Sequence, residues 1–77
     1  MISTFGMKLK GLELLNQRVQ DLLADGYHIV INYEDNCLRM VKLRHHNGNR
    51  ITLTFHILDG TITQRTNNIQ VYSHKVY

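Results

Sequence analysis

The side chains with reactive chemistry are five histidines (28, 45, 46, 56 and 74), one cysteine, Cys37, and the neighbouring carboxylates Glu34 and Asp35. Histidines with a thiol are the makings of a zinc site, and a histidine beside a thiol those of a nucleophile with its base. The spacing supports neither. His45 and His46 are adjacent, so on a strand they project to opposite faces. His28 and His56 fall on one face, but on strands separated by a third. No His-x-x-x-His or Cys–His pair stands at metal-ligand spacing on a helix. Cys37 lies at a strand end with no base set beside it, and reads as a small hydrophobe. Glu34 and Asp35 read as a solvated turn. Gly6, Gly11, Gly26, Gly48 and Gly60 are dispersed and make no phosphate loop. The expectation is a non-enzymatic chain with no catalytic residues, metal, cofactor or small-molecule substrate.

What remains is the chemistry of binding. Lysine and arginine total 9 against 6 acidic residues, a net charge of +3, and the histidines add to it below neutral pH. A basic balance suits an anionic partner, although cations on a sheet face are also what such a face shows to water. Which side chains can act together depends on the elements that carry them.

The chain has 77 residues, 43% hydrophobic and 19% charged, which fits one small globular domain over residues 1–77. A lone cysteine excludes an intramolecular disulfide framework and suits a reducing cytosol. No apolar run approaches the roughly 18 residues of a membrane span, and the first ten residues carry no signal-peptide pattern. A cytoplasmic protein with no membrane contact is expected.

Leu12, Leu15, Val19, Leu22 and Leu23 recur on a helical period, with Glu13, Gln17, Arg18, Gln20 and Asp21 on the other side. A helix over residues 8–25 is predicted, ended by Gly26 in the left-handed conformation. Residues 1–7, with Ile2 and Phe5, show no useful periodicity and are left open as a short strand, a staple against the helix, or a frayed end. Tyr27, Ile29, Ile31 and Tyr33 alternate with His28, Val30 and Asn32, as in a half-buried strand. Further strands are predicted over 37–45, 50–58, 61–65 and 69–76. The fold class is α+β, one N-terminal helix packed on a four- to five-stranded antiparallel β-meander.

Burial of charge selects the hairpin register, because a one-residue slip turns every side chain to the opposite face. A three-residue Asn47-Gly48-Asn49 loop pairs Leu43 with Leu53 and Val41 with Phe55. A three-residue Glu34-Asp35-Asn36 loop pairs Tyr33 with Cys37 and Ile29 with Val41. A two-residue Asp59-Gly60 turn sets Ile57 opposite Ile62. These choices agree on an inner face of Tyr27, Ile29, Ile31, Val41, Leu43, Ile51, Leu53, Phe55, Ile57 and Ile62, which the helix covers. Arg39 is the misfit among them, expected near a rim.

On the outer face this register gathers Val30, Leu38, Met40 and Leu58 at one end. The other end carries Lys42, Arg44, Thr52, Thr54, His56, Thr63 and Arg65, with His28 nearby. An apolar patch on the back of a single-helix sheet calls for a cover. The C-terminal run, with Ile69, Val71, Tyr72, Val76 and Tyr77, could fold over it or pair at a strand edge; otherwise a second subunit or another partner covers it. The first expectation is therefore protein–protein contact, with a protein partner or a homodimer, through Val30, Leu38, Met40, Leu58 and Tyr72. The alternative is nucleic-acid binding, RNA or DNA, through Lys42, Arg44, Arg50, His56 and Arg65. The basic strip lacks exposed aromatics for base stacking, unless Tyr72 and Tyr77 pack alongside.

The segments DGYHIV (residues 25–30) and VKLRHHNGNRITLTF (residues 41–55) lie within a helix–Gly–aromatic–strand–strand–turn–strand order spanning residues 14–55. This stretch resembles the small HicA-type RNA-cleaving toxins, whose fold is related to double-stranded-RNA-binding domains. The resemblance implies an αβββ shape. That family's catalytic histidine precedes the turn on the second strand, where this chain reads Arg39-Met40-Val41-Lys42, and residues 62–77 look extended where the family has a closing helix. A third reading is thus a HicA-like fold without the catalytic histidine. Stand-alone chains of this build are common among small accessory or inhibitor-type proteins of phage and other mobile elements.

Overall fold

The computed structural model describes residues 4–77, with side chains from residue 6 onward; Ile2 and the Phe5 side chain lie outside the described residues. Helix α1 (Thr4–Ala24) begins before the expected Lys8. Only Gly6 intervenes as a weak helix former, and one glycine costs about 1 kcal/mol relative to alanine. The helix buries Leu15, Val19 and Leu22, with Leu12 and Leu23 half-buried beside them. At its end the Gly26 amide donates to the Leu23 carbonyl at 3.1 Å, and Gly26 takes a φ of +95°, the left-handed cap that the sequence predicts.

Five strands follow: β1 (Tyr27–Glu34), β2 (Leu38–His45), β3 (Arg50–His56), β4 (Thr61–Thr66) and β5 (Ile69–Lys75). They form one antiparallel sheet in the order β1-β2-β3-β4-β5. The α+β architecture read from the sequence, one helix on an antiparallel meander, is the one observed. Val41, Leu43, Ile51, Leu53, Phe55 and Ile62 turn inward and complete the core with the helical stripe. Each such side chain contributes roughly 1.5–3 kcal/mol by leaving water. The helix packs tightly on β3 at Gly11, where an added Cβ would stand 2.2 Å from Phe55 Cζ. Glycine there is a packing requirement.

All three predicted loop registers require correction. In the β2–β3 hairpin the loop is His46-Asn47-Gly48, one residue earlier than expected. Gly48 donates to the His45 carbonyl at 2.9 Å with φ +97°. In a three-residue loop the left-handed residue comes last, so Gly48 ends the loop instead of centring it. Leu43 accordingly faces Ile51, and Val41 faces Leu53. The β3–β4 loop takes four residues, 57–60, closed by the Gly60 amide on the His56 carbonyl, and Phe55 rather than Ile57 faces Ile62. Both shifts are by two residues, so the inner face of β2, β3 and β4 survives them.

The β1–β2 shift is odd, and it does change faces. Asp35 Oδ1 accepts from the Cys37 amide at 2.7 Å and the Leu38 amide at 2.9 Å, which moves the turn beyond Asp35. Glu34 then pairs with Arg39, Tyr33 with Met40 and Ile31 with Lys42; a bulge between Ile29 and Ile31 restores the expected face for Ile29, opposite Leu43. Ile31, expected inside, therefore lies on the outer face, together with Tyr33. Asn32 and Glu34 turn inward instead. This resolves the Arg39 misfit, since its guanidinium donates to Asn32 Oδ1 and stands 3.8 Å from Glu34.

The C-terminal run pairs with β4 as an edge strand, and does not fold over the outer face. Beyond it, Tyr77 tucks under the sheet end, its ring edge-on to Phe55 at 6.2 Å and its hydroxyl donating to the Ile57 carbonyl. At the opposite end, His45 ties the β2–β3 hairpin to the helix. Its Nδ1 accepts from the Asn47 amide at 3.1 Å, which leaves Nε2 to donate to the Asp25 carbonyl at 3.1 Å.

Candidate functional site

Among the described residues one helix covers the inner face and no element covers the outer one. Across the strands that outer face forms four rows, set by the observed register. The first holds His28, Arg44 and Arg50. The second runs Ile31, Lys42, Thr52, Arg65, Gln70. The third runs Tyr33, Met40, Thr54, Thr63, Ser73, and the fourth Leu38, His56, Thr61, Lys75. Four cations thus occupy two adjacent rows, while the apolar and aromatic side chains gather at the other end near β1.

The two rows are unbalanced in charge. Among the described residues the only ion pair is that of Arg39 with Glu34, which belongs to the inner face. The chain's carboxylates are Glu13, Asp21, Asp25, Glu34, Asp35 and Asp59, and none occupies a position in the four rows. Arg44 stands directly opposite Arg50, an arrangement of like charges that weakens a strand pair. Arg50 is nonetheless held in place. Its amide donates to Asn67 Oδ1 at 3.0 Å, and its carbonyl accepts from the Asn67 amide at 2.8 Å. Asn67 and Asn68 turn the β4–β5 hairpin with φ of +53° and +70°, which asparagine tolerates better than most residues. Beside these cations lies a shallow depression of about 330 Å³, lined by Val30, Ile31, Lys42, Arg44, Arg50, Thr52 and Asn68 among others.

At the other end Tyr33 presents its ring on the outer face, with 46% of the residue exposed. Its hydroxyl donates to Asp35 Oδ2 at 2.7 Å. That bond, with the charge of Asp35 itself, raises the phenol above its ordinary value. The same bond, reinforced by the Cys37 and Leu38 amides, holds the Asp35 carboxyl below the usual carboxylate range. The face therefore has a carboxylate at its Tyr33 corner, four cations on the two rows at the far end, and Lys75 on β5 at the end of the fourth row.

The residues singled out in the sequence distribute unevenly. Lys42, Arg44, Arg50 and Arg65 come together; His56 lies two rows away, between Leu38 and Thr61. Leu38 and Met40 share the outer face. Val30 is the residue passed over at the β1 bulge, and Leu58 sits in the β3–β4 loop, 77% exposed. Tyr72 faces inward opposite Gln64, so the five proposed contact residues do not form one surface. Ile31 and Tyr33 instead complete the apolar end. The Asx-type turn at Asp35 was the signal for this, since it shifts the hairpin and with it the face of both side chains.

The inner face holds a second concavity, a groove of about 570 Å³ between α1 and β5, lined by Leu14, Arg18, Ile62, Gln64, Val71 and Tyr72 among others. Gln64 at its floor is 8% exposed and satisfied, accepting from Arg18 Nε at 3.2 Å and donating to Thr66 Oγ1 at 3.3 Å. Nothing in the sequence pattern marked this buried glutamine.

Among the described residues no three His, Cys, Asp or Glu side chains gather where they could hold a metal ion. Both ring nitrogens of His45 are engaged by backbone groups, and His46 packs against the His45 ring. Among the same residues no helix is long and apolar enough to cross a membrane. Comparison with protein-family models, with curated proteins and with solved structures returns no match, so the face is interpreted on its own chemistry.

Proposed function

We propose that this protein is a non-enzymatic binding module whose working surface is the uncovered face of its sheet, and that the ligand is a nucleic acid. One observation carries the reading: Lys42, Arg44, Arg50 and Arg65 share two adjacent rows with no carboxylate among them. Placing arginine opposite arginine costs stability in the free protein, and a bound phosphate offsets that repulsion. Thr52 adds a neutral hydrogen-bonding group between Lys42 and Arg65, and Thr54 and Thr63 add two more on the adjacent row.

Neutralising phosphates with fixed cations releases condensed counterions, so affinity must fall steeply with salt. With four contacts to a single strand, the slope of log affinity against log salt is about −3. Binding of a labelled oligonucleotide, followed by fluorescence anisotropy between about 50 and 200 mM salt, measures it. Alanine at both Lys42 and Arg44 should roughly halve the slope and leave the thermal unfolding curve nearly unchanged. Undetectable binding at low salt, or a slope that the double substitution does not alter, contradicts the reading.

A second reading, contact with a protein partner or a second copy, draws on the apolar end of the same face. Ile31, Tyr33, Leu38 and Met40 are neighbours across β1 and β2, and among the described residues no element lies over them. Met40→Glu should abolish such a complex while leaving the monomer folded. A complex that survives this substitution removes the patch from consideration.

A further inference from the structure

We propose that the nucleic acid is single-stranded, with its phosphates on the cationic rows and its bases on the apolar end, where Tyr33 stacks against one of them. This rests on the nucleic-acid reading given above and goes beyond it, because it names the form of the ligand and the residue that selects it.

Three observations converge. First, on its β1–β2 side the face is divided in polarity along the strand direction. Arg44, Arg50, Lys42 and Arg65 lie on the two rows at one end, and Tyr33, Met40 and Leu38 at the other, where β3–β5 continue the rows with Thr54, Thr63, His56 and Lys75. A single strand laid across the β-strands is divided the same way, phosphates along one margin and bases along the other. A duplex is not, because its accessible surface presents phosphates on both sides of each groove and its base faces are stacked inside. Second, most duplex readers place a helix, a ribbon or an arm into a groove, and those that use a sheet set its strands into the groove itself. Among the described residues this face is a sheet surface with no element raised from it, and α1 lies on the opposite side. Third, the carboxylate of Asp35 sits at the Tyr33 corner, bonded to the Tyr33 hydroxyl at 2.7 Å. A duplex covering the whole face would bring phosphates towards that carboxylate. Bases bring no such charge, and the bond keeps the ring from swinging freely.

The outward position of Tyr33 depends on the Asp35 turn, which shifts the β1–β2 register by an odd number of residues. Without that shift the ring would point to the inner face. The only tyrosine on the cation-bearing face therefore owes its place to a local departure from regular alternation. It stands beside Met40 and one row from Lys42. Base–aromatic stacking is tolerant of sequence, so discrimination by strandedness rather than by base order is expected.

The test compares labelled single strands of about 12 nucleotides with the matching duplex, at equal low salt, using the full chain. Separate DNA and RNA strands show which sugar the site accepts, and inorganic polyphosphate serves as a polyanion without bases. Expected results are binding of a single strand about tenfold or more tighter than the duplex, and a loss of about fivefold or more for Tyr33→Ala with the salt slope retained. Tyr33→Phe, which keeps the ring and loses the bond to Asp35, should retain most of the affinity and shows whether any loss arises from the turn. Polyphosphate binding should be indifferent to Tyr33. Equal affinity for duplex and single strand, or wild-type affinity in a folded Tyr33→Ala protein, overturns the inference and leaves the nucleic-acid reading standing. Failure of single strands and duplex alike, DNA and RNA, to bind at low salt overturns both, whether or not polyphosphate binds.

Discussion

Strands β3 and β1 are similar in length and both alternate in sequence, yet the alternation means different things in each. In β3 it is enforced from both sides. Ile51, Leu53 and Phe55 are buried beneath α1 and between β2 and β4, so any odd slip would bury Thr52 or Thr54 instead. In β1, at the sheet edge, seven of the eight residues are exposed, and no comparable burial holds the register. A turn with good local hydrogen bonds at Asp35 could then set the pairing, and a bulge absorbs the mismatch. A central strand is specified by what it buries, and an edge strand by its turn.

The same contrast explains what could be read from the sequence. The helical stripe, the Gly26 cap and the inner face of β2–β4 were legible because burial punishes the alternatives by several kcal/mol. The β2–β3 and β3–β4 loops lie one or two residues from their expected places because turn chemistry distinguishes registers of equal parity only through details such as which loop position is left-handed. At the candidate site, the cluster of Lys42, Arg44, Arg50 and Arg65 followed from parity alone. The outward turn of Ile31 and Tyr33 did not, since it arises at the edge strand where parity breaks. Gly11 and Gln64 were silent in the sequence, because their roles come from contacts with Phe55 and Arg18 far along the chain.

The contrast can be broken most severely at its buried end. Phe55→Ala should destabilise the protein by about 3–5 kcal/mol, enough to threaten folding in a domain of this size. Gly11→Ala should cost about 1–3 kcal/mol by forcing a methyl group into the Phe55 ring. Combined with Phe55→Leu, the cost of Gly11→Ala should shrink, and strictly additive losses in thermal melts would show that the close approach is not the cause.

A smaller effect is expected at the junction between the two regimes. His45→Ala removes its bonds to the Asp25 carbonyl and the Asn47 amide and should cost about 1–2 kcal/mol by chemical denaturation. A loss below about 0.5 kcal/mol would mean that the hairpin and the helix end hold together without it.

The smallest effect belongs to the edge. Asp35 is held below the usual carboxylate range when folded, so its contribution is present above that range and fades as pH falls through the lowered value. The Tyr33 phenol is raised, so its contribution is present below the ordinary phenol value of 10.0 and is lost as pH rises through the raised one. Asp35→Asn should flatten the acid limb of the stability profile, and Tyr33→Phe the alkaline limb. If neither substitution alters its limb, the turn bonds do not contribute measurably to stability.

In the proposed division of labour one face of the sheet binds and the other serves as core. Backbone amide shifts of the labelled protein, followed during titration with a single-stranded oligonucleotide, test this most directly. This division predicts shifts on β1–β4 at Tyr33, Lys42, Arg44, Arg50, Thr52 and Arg65, with the helix amides at Gln17, Arg18 and Asp21 undisturbed. Shifts confined to those helix residues and to Val71 and Tyr72 of the inner groove would contradict it.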